Sequence, residues 1–267
     1  MERNPAVAGQ FYPGSPEEIR RVLAQYIDQG AEKRECIAVV APHAGYIYSG
    51  RIAGETFSRV MLPERVIILA PNHTGRGRMI SIYPGDAWNT PLGKVPVDKE
   101  LNKLLLDASD LIEEDEQAHV REHSAEVQVP FLQYLQPGVM ISVMVLATRE
   151  YDALSVLGGA IASAVRNAGE KVLIVASSDM THFESQKIAN EQDRAAIEKI
   201  ESLDPLGLLE TVLSRGITMC GVGPVTTALV AALELGAHSA ELTGYETSGD
   251  ITGDLSSVVG YAGFLVE

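Results

Sequence analysis

Four short segments hold the residue types that bind metals and move protons. They are Ala41-Pro42-His43-Ala44-Gly45, Pro71-Asn72-His73-Thr74-Gly75, Ser178-Asp179-Met180-Thr181-His182-Phe183 and Cys220-Gly221-Val222-Gly223-Pro224. Two imidazoles and a thiol meeting at one place would most naturally hold a metal ion. Asp179 and His182 form a second kind of pair. A carboxylate beside an imidazole can orient the ring and tune it for proton transfer near neutral pH. Glu122-His123-Ser124 could add a further acid or support a ligand from behind. Tyr46 and Asn72, neighbours of the two loop histidines, join Glu122 and His123 as candidates for substrate contact or ligand support.

Each assignment has a plainer rival. Cys220 precedes a helix start, where a thiolate is favoured, but a free cysteine is also among the most buried residue types. Asp179 could simply cap a helix. Ser124, with Glu126 and Gln128, reads as ordinary helix-start chemistry. His119 and His238 fall in polar stretches and read as surface residues, and Cys36 reads as core. Arg51, Arg76 and Arg78 are solvated or hold an anion.

The elements that must position these groups alternate between strand and helix. Apolar runs at 37–40, 66–70 and 172–176 read as buried strands, each ending just before one of the first three chemical segments. Ligand sites in α/β sheets form outside the carboxyl ends of the strands. His43 and His73 are one βαβ unit apart, so two neighbouring strand ends would present them side by side. The first of these strands is expected over 36–41, and further strands at 79–83, 139–146, 240–247 and 257–266. Helices are expected at 50–60, 99–108, 124–135, 153–168, 187–202, 205–214 and 223–235. Ser15, Pro16 and Glu18 mark the start of the first helix, which Gly30 stops. Residues 5–14 form a turn-rich lead-in, and 86–98 an irregular excursion or hairpin. The pattern predicts one α/β domain over 1–267, a three-layer α/β/α sandwich on a largely parallel mixed sheet.

Composition narrows the class of function. The 267 residues are 46% hydrophobic and 21% charged, enough for a sizeable core. A formal charge of −15 argues against a nucleic-acid face, which needs clustered Lys and Arg. Two unpaired cysteines suggest a reducing, cytoplasmic setting. The first residues lack a signal-peptide core, and no apolar run reaches the roughly 18 residues that span a bilayer.

Taken together, Val7-Ala8-Gly9-Gln10-Phe11-Tyr12-Pro13, Pro42-His43-Ala44-Gly45-Tyr46, Pro71-Asn72-His73, the 88–93 segment, Glu122-His123-Ser124, Ser178-Asp179-Met180-Thr181-His182 and Cys220-Gly221 resemble the MEMO family. These are proteins similar to the human mediator of ErbB-driven cell motility. The resemblance runs in order over nearly the whole chain. It implies a fold like that of class III extradiol dioxygenases of the LigB type, which hold ferrous iron with two histidines and a glutamate. Carried over, His43 and His73 match the two histidines, Cys220 the third metal position and His182 the acid/base histidine, with Asp179 in the same motif. A thiolate in place of a carboxylate is softer and itself oxidisable, so ring cleavage does not transfer with the fold.

The resemblance implies a metal-dependent oxidoreductase on an unknown substrate, with Fe(II) the first candidate, Cu the second and Zn the third. The alternative is a non-catalytic module binding a small molecule or peptide, phosphotyrosine peptides included. Prokaryotic members further imply radical-SAM and AMMECR-type partners in a modification pathway. Nucleic acid and membrane are not expected partners.

Overall fold

The computed structural model describes residues Met1–Glu267. In chain order its elements begin with β1 (Glu2–Arg3), α1 (Pro16–Tyr26), β2 (Ala38–Ala41), α2 (Tyr46–Ser58), β3 (Arg65–Pro71) and β4 (Ile80–Ile82). The hairpin β5 (Ala87–Thr90) and β6 (Gly93–Pro96) follows, then α3 (Lys99–Ala108) and β7 (Glu113–Glu114). A 3-10 turn at Glu126–Gln128 leads into α4 (Val129–Leu135). Next come β8 (Met140–Leu146), α5 (Tyr151–Asn167), β9 (Val172–Ser177) and β10 (His182–Glu184). Helices α6 (Gln186–Glu201), α7 (Pro205–Arg215) and α8 (Val222–Glu234) precede β11 (Ala240–Thr247), α9 (Ser248–Thr252) and β12 (Val258–Val266).

The main sheet has nine strands in the order β10-β12-β2-β9-β3-β8-β4-β7, with β11 on β12. Its middle is parallel: β2 with β9, β9 with β3 and β3 with β8. Pairings beyond β2 and β8 are antiparallel, except that β4 and β7 run parallel. The fold is a three-layer α/β/α sandwich on a mixed sheet. Strand β1 joins the hairpin in a separate three-stranded sheet.

Alternation along the central strands feeds both faces. Val40, Leu69, Ile174 and Met144 enter one core, with residues of α3, α5, α6, α7 and α8. Val39, Ile68, Val175 and Val143 enter the other, with residues of α1, α2 and α4. A strand buried on both faces is mostly apolar, which is why these runs read as nearly continuous. The start of α1 follows its sequence signal, with the Ser15 side chain accepting from Glu18 N. No helix is long and apolar enough to cross a membrane.

Two expectations need correction. Strands β2 and β3 are not neighbours, because β9 lies hydrogen-bonded between them. The His43 and His73 loops are therefore separated by one strand width, and the end of β9 fills the gap. His119 is fully buried, not a surface residue. Its polar neighbours in sequence turn outward, while its ring packs edge-on against Tyr83 and Trp88, with centroids at 5.4 and 6.2 Å.

The segment 122–128 also departs from a plain helix start. Buried Glu126 accepts from Arg3 Nη1 at 2.7 Å, Ala6 N at 2.7 Å, Val7 N at 3.0 Å and Tyr12 Oη at 2.6 Å. Arg3 in turn donates to the carbonyls of His119 and Glu122, both at 2.7 Å. This carboxylate clamps the N-terminal segment to the body of the protein. Removing one partner of a buried pair leaves the other charge uncompensated.

Glu126→Ala is expected to lower the unfolding free energy by about 3–5 kcal/mol in urea denaturation. Lys103→Ala, breaking an exposed pair with Asp107, should change it by no more than about 0.5 kcal/mol. Similar losses in both would refute the clamp. Burial, followed by the Arg3 charge, pushes His119 down to about 3. A depressed histidine gives stability that is present above its ordinary value of 6.5 and is lost as pH falls toward the folded value. His119→Phe should therefore flatten the acid-side stability slope by about one proton, or about 1.4 kcal/mol per pH unit. An unchanged slope between pH 6 and 4, about the middle of that window, would contradict this.

Candidate metal centre

The carboxyl ends of β2, β3 and β9 and the loop leading to the 3-10 turn bring three imidazoles together. One ligand nitrogen each from His43, His73 and His123 can be chosen so that all lie within 4.8 Å of one another. The rings confirm the cluster. His43 and His73 meet edge-on with centroids 5.3 Å apart, and His73 stacks on His123 at 4.7 Å.

Hydrogen bonds fix which nitrogens face inward. Ser177, the last residue of β9, donates its hydroxyl to Ser124 O at 2.7 Å. Its oxygen can then only accept from His43 Nδ1, 2.8 Å away. His43 therefore carries its hydrogen on Nδ1 and leaves a lone pair on Nε2. Glu122 does the same for His73, with Oε1 2.9 Å from Nδ1. Its other oxygen accepts His73 N at 2.6 Å. Burial alone would raise Glu122, but the His73 ring and the backbone N–H groups of Ser124 and His73 outweigh it and hold the carboxyl at about 2.

Burial, and then the His73 and His123 rings, keep His43 far below the ordinary histidine value. Burial also lowers His123. Neutral imidazoles with fixed tautomers are the form that binds metal. By their geometry the three histidines could hold an ion.

Cys220 lies at the edge of this cluster. Its Sγ is 3.2 Å from His43 Nε2 and accepts Asp179 N at 3.3 Å. The expected help from the helix start does not prevail. Burial, and then Asp179, push the thiol well above its ordinary value, because desolvation of a thiolate outweighs a few backbone dipoles. Gly221 explains how Cys220 reaches the site. A Cβ there would lie 2.3 Å from Ser177 O, so only glycine lets the start of α8 approach β9. Polar Asn72, Thr148 and Arg149 line a cavity of about 140 Å³ that reaches Cys220.

Asp179 is buried, and its Oδ1 accepts His43 N at 2.7 Å. Its Oδ2 stands 4.0 Å from His43 Nε2. Burial raises this carboxyl, with the His43 N–H opposing. His182 sits on the edge strand β10 rather than in a loop. Its Nδ1 lies 2.8 Å from Met180 O and 3.1 Å from Thr218 O. Both partners only accept, so Nδ1 holds the hydrogen and Nε2 is free to take a proton. The next residue, Phe183, has φ 63° at an irregularity of the β10–β12 register and is 78% exposed.

The remaining candidates sit around these. Tyr46 is buried, its hydroxyl donating to Val127 O at 2.8 Å. Asn72 organises its own loop, accepting from Thr74 and Gly75 and donating to Arg76 O. Arg51 pairs with Glu55 and Glu246, and Arg78 with Glu113. Sequence reasoning gave no role to Phe11, Ser177 or Gln128. Phe11 packs on the His123 ring with centroids 4.7 Å apart. Gln128 Nε2 donates to Ala41 O, Pro42 O and Ser177 Oγ. A serine ending a strand and a glutamine in a helix-start pattern carry no sequence signal that marks such work.

Glu122→Gln removes the charge that orients His73 without touching any metal donor. It is expected to weaken metal binding by about 10–100-fold in a chelator competition, with circular dichroism unchanged. Wild-type affinity in this variant would show that Glu122 does not support the centre.

The family model for Memo-like proteins matches residues 3–265. A MEMO1 family protein of Methanothermobacter thermautotrophicus is 39% identical over 274 residues, spanning 98% of this chain and 99% of that protein. Another, from Methanosarcina barkeri, is 41% identical over 268 residues, spanning 99% of this chain and all of that protein. Among solved structures, an uncharacterised protein from Escherichia coli K12 has a TM-score of 0.55 at 13% identity, over 85% of this chain and 98% of that one. That likeness concerns the fold alone. The match over almost the full length, in both family pattern and curated relatives, means that the chain belongs to the Memo-like family.

Proposed function

We propose that the chain binds one non-haem metal ion at His43, His73 and Cys220, with His123 beside them as a further donor, and serves a redox reaction on a small substrate. Iron is the first choice of ion and copper the second. The observation that carries this reading is the pair of fixed tautomers. Ser177 and Glu122 each occupy the Nδ1 of a clustered histidine and so turn Nε2 toward the same space.

Two to three imidazoles with one thiolate suit iron, copper or zinc, and a bound redox-active ion would supply electron transfer and oxygen chemistry. The protein's own groups would manage protons and position. His182, with Nδ1 committed to carbonyls, is suited to accept a proton at Nε2 from substrate. Asp179 holds the His43 backbone and stabilises positive charge that develops on His182. Cys220 would lose its proton when it becomes a donor, so metal loading releases acid. Asn72 and Arg149, at the small cavity that reaches Cys220, are suited to hold a polar substrate group.

Elemental analysis of protein purified without oxygen or chelator tests this directly. About one iron or copper per wild-type chain is expected, on the basis of a single ligand cluster. Cys220→Ser and His43→Ala should each lose most of it with the fold intact. His182→Ala should keep full metal and lose oxygen consumption with any substrate found by screening. Full metal content in both ligand variants would overturn the assignment.

A further inference from the structure

Asp193, on α6, is fully buried. Buried carboxylates are normally paired with a cation. The buried arginines pair elsewhere, Arg3 with Glu126 and Arg65 with Asp98, and Asp193 meets only neutral donors. Its Oδ1 accepts Thr181 N at 2.9 Å, and its Oδ2 accepts the Tyr245 hydroxyl at 2.8 Å. A Cβ on Gly260 would collide with Oδ2, so glycine at this point of β12 makes room for the acid. Both oxygens accept and neither donates, the pattern of an ionised carboxyl.

The Thr181 N–H belongs to the peptide group that joins Met180 to Thr181, and the carbonyl of that same group is Met180 O. That oxygen lies 2.8 Å from His182 Nδ1. Thr218 O, at 3.1 Å, is the longer of the two acceptors of this nitrogen. Asp193 and His182 therefore stand at the two ends of one peptide group, in a continuous chain of hydrogen bonds. Two further bonds hold that peptide in place: Met180 N donates to Gly260 O at 2.8 Å, and Gly260 N to Thr181 O at 2.9 Å. An anion at the N–H end polarises the peptide and strengthens its carbonyl as an acceptor, which keeps the hydrogen on His182 Nδ1. It also favours positive charge on the ring. Burial raises the Asp193 carboxyl, while the Thr181 and Tyr245 hydrogens and the His182 ring oppose that rise. The other titratable groups around His182 are Asp179 and His43, at the centre, and Glu184 along β10.

We propose that Asp193 is a positioning residue for His182: through the Met180–Thr181 peptide it fixes the tautomer of the ring and supports the charge that the ring acquires with a proton. The role rests on the reading of His182 as the proton acceptor of the centre. Asp193 acts from behind, through the peptide, and is not itself a metal donor.

Nuclear magnetic resonance titration of the full chain tests this, with zinc in place of any paramagnetic ion and again after chelator treatment. Asp193→Asn keeps an oxygen to accept Thr181 N and removes the charge. In that variant the His182 ring should titrate lower than in wild type by about half a pH unit or more, with circular dichroism and metal content unchanged. Coupling between two sites is reciprocal, so in His182→Gln the Asp193 carboxyl should titrate higher by the same amount. Tyr245→Phe disturbs the same packing but keeps the charge, and should move the His182 ring by less than about half as much. An unmoved ring titration in Asp193→Asn would overturn the proposal. So would an equal shift in Tyr245→Phe, which would make the effect one of packing, or an Asp193 carboxyl that is still protonated at neutral pH. The titration needs no turnover, so its outcome is decided whether or not the metal and redox reading holds.

Discussion

The Ser177 hydroxyl ties together three parts of the chain that are far apart in sequence. It donates to Ser124 O, accepts from Gln128 Nε2 and leaves only an accepting role toward His43 Nδ1. One oxygen at the end of β9 thus sets the tautomer of the histidine in the loop after β2 and holds the turn that precedes α4. The arrangement is possible because β9 is inserted between β2 and β3. Had the two histidine strands been neighbours, no strand end would lie between them to supply that oxygen. The proposed centre depends on the lone pair that this leaves on His43 Nε2.

Two buried carboxylates on one turn divide the remaining work. Glu122 faces the histidines, and its low value reflects a ring and two backbone N–H groups overcoming burial. Glu126 faces away and clamps residues 3–12. The clamp reaches the centre indirectly, since Phe11 on the clamped segment packs against His123. Stability and site geometry therefore share one short segment. Loss of either acid would be felt at the other through the backbone between them, although only Glu122 touches a clustered imidazole.

Cys220 shows competing electrostatic effects at one atom. The start of α8 favours a thiolate, but burial and the nearby Asp179 favour the thiol, and they win. A neutral thiol 3.2 Å from His43 Nε2 makes a compact hydrogen-bonded pair. A cation bound at the proposed centre with Cys220 as a donor would displace that proton.

Much of this was legible in the sequence. Nearly continuous apolar runs marked the parallel middle of the sheet, because strands covered on both faces show few polar positions. Glycine and proline beside His43 and His73 marked loops at strand ends, and the order of motifs marked the family. Local signals of this kind act over a few residues, so they survive without the fold. Strand order does not, because it depends on long-range pairing, and β9 was therefore not expected between β2 and β3. His119 looked exposed, since polar neighbours say nothing about which way one ring turns. Glu126 and Gln128 fit a helix start so well that their distant partners left no trace. Only tertiary structure could decide these points, because a hydrogen bond across more than a hundred residues, such as Arg3 to Glu126, has no period or spacing to read.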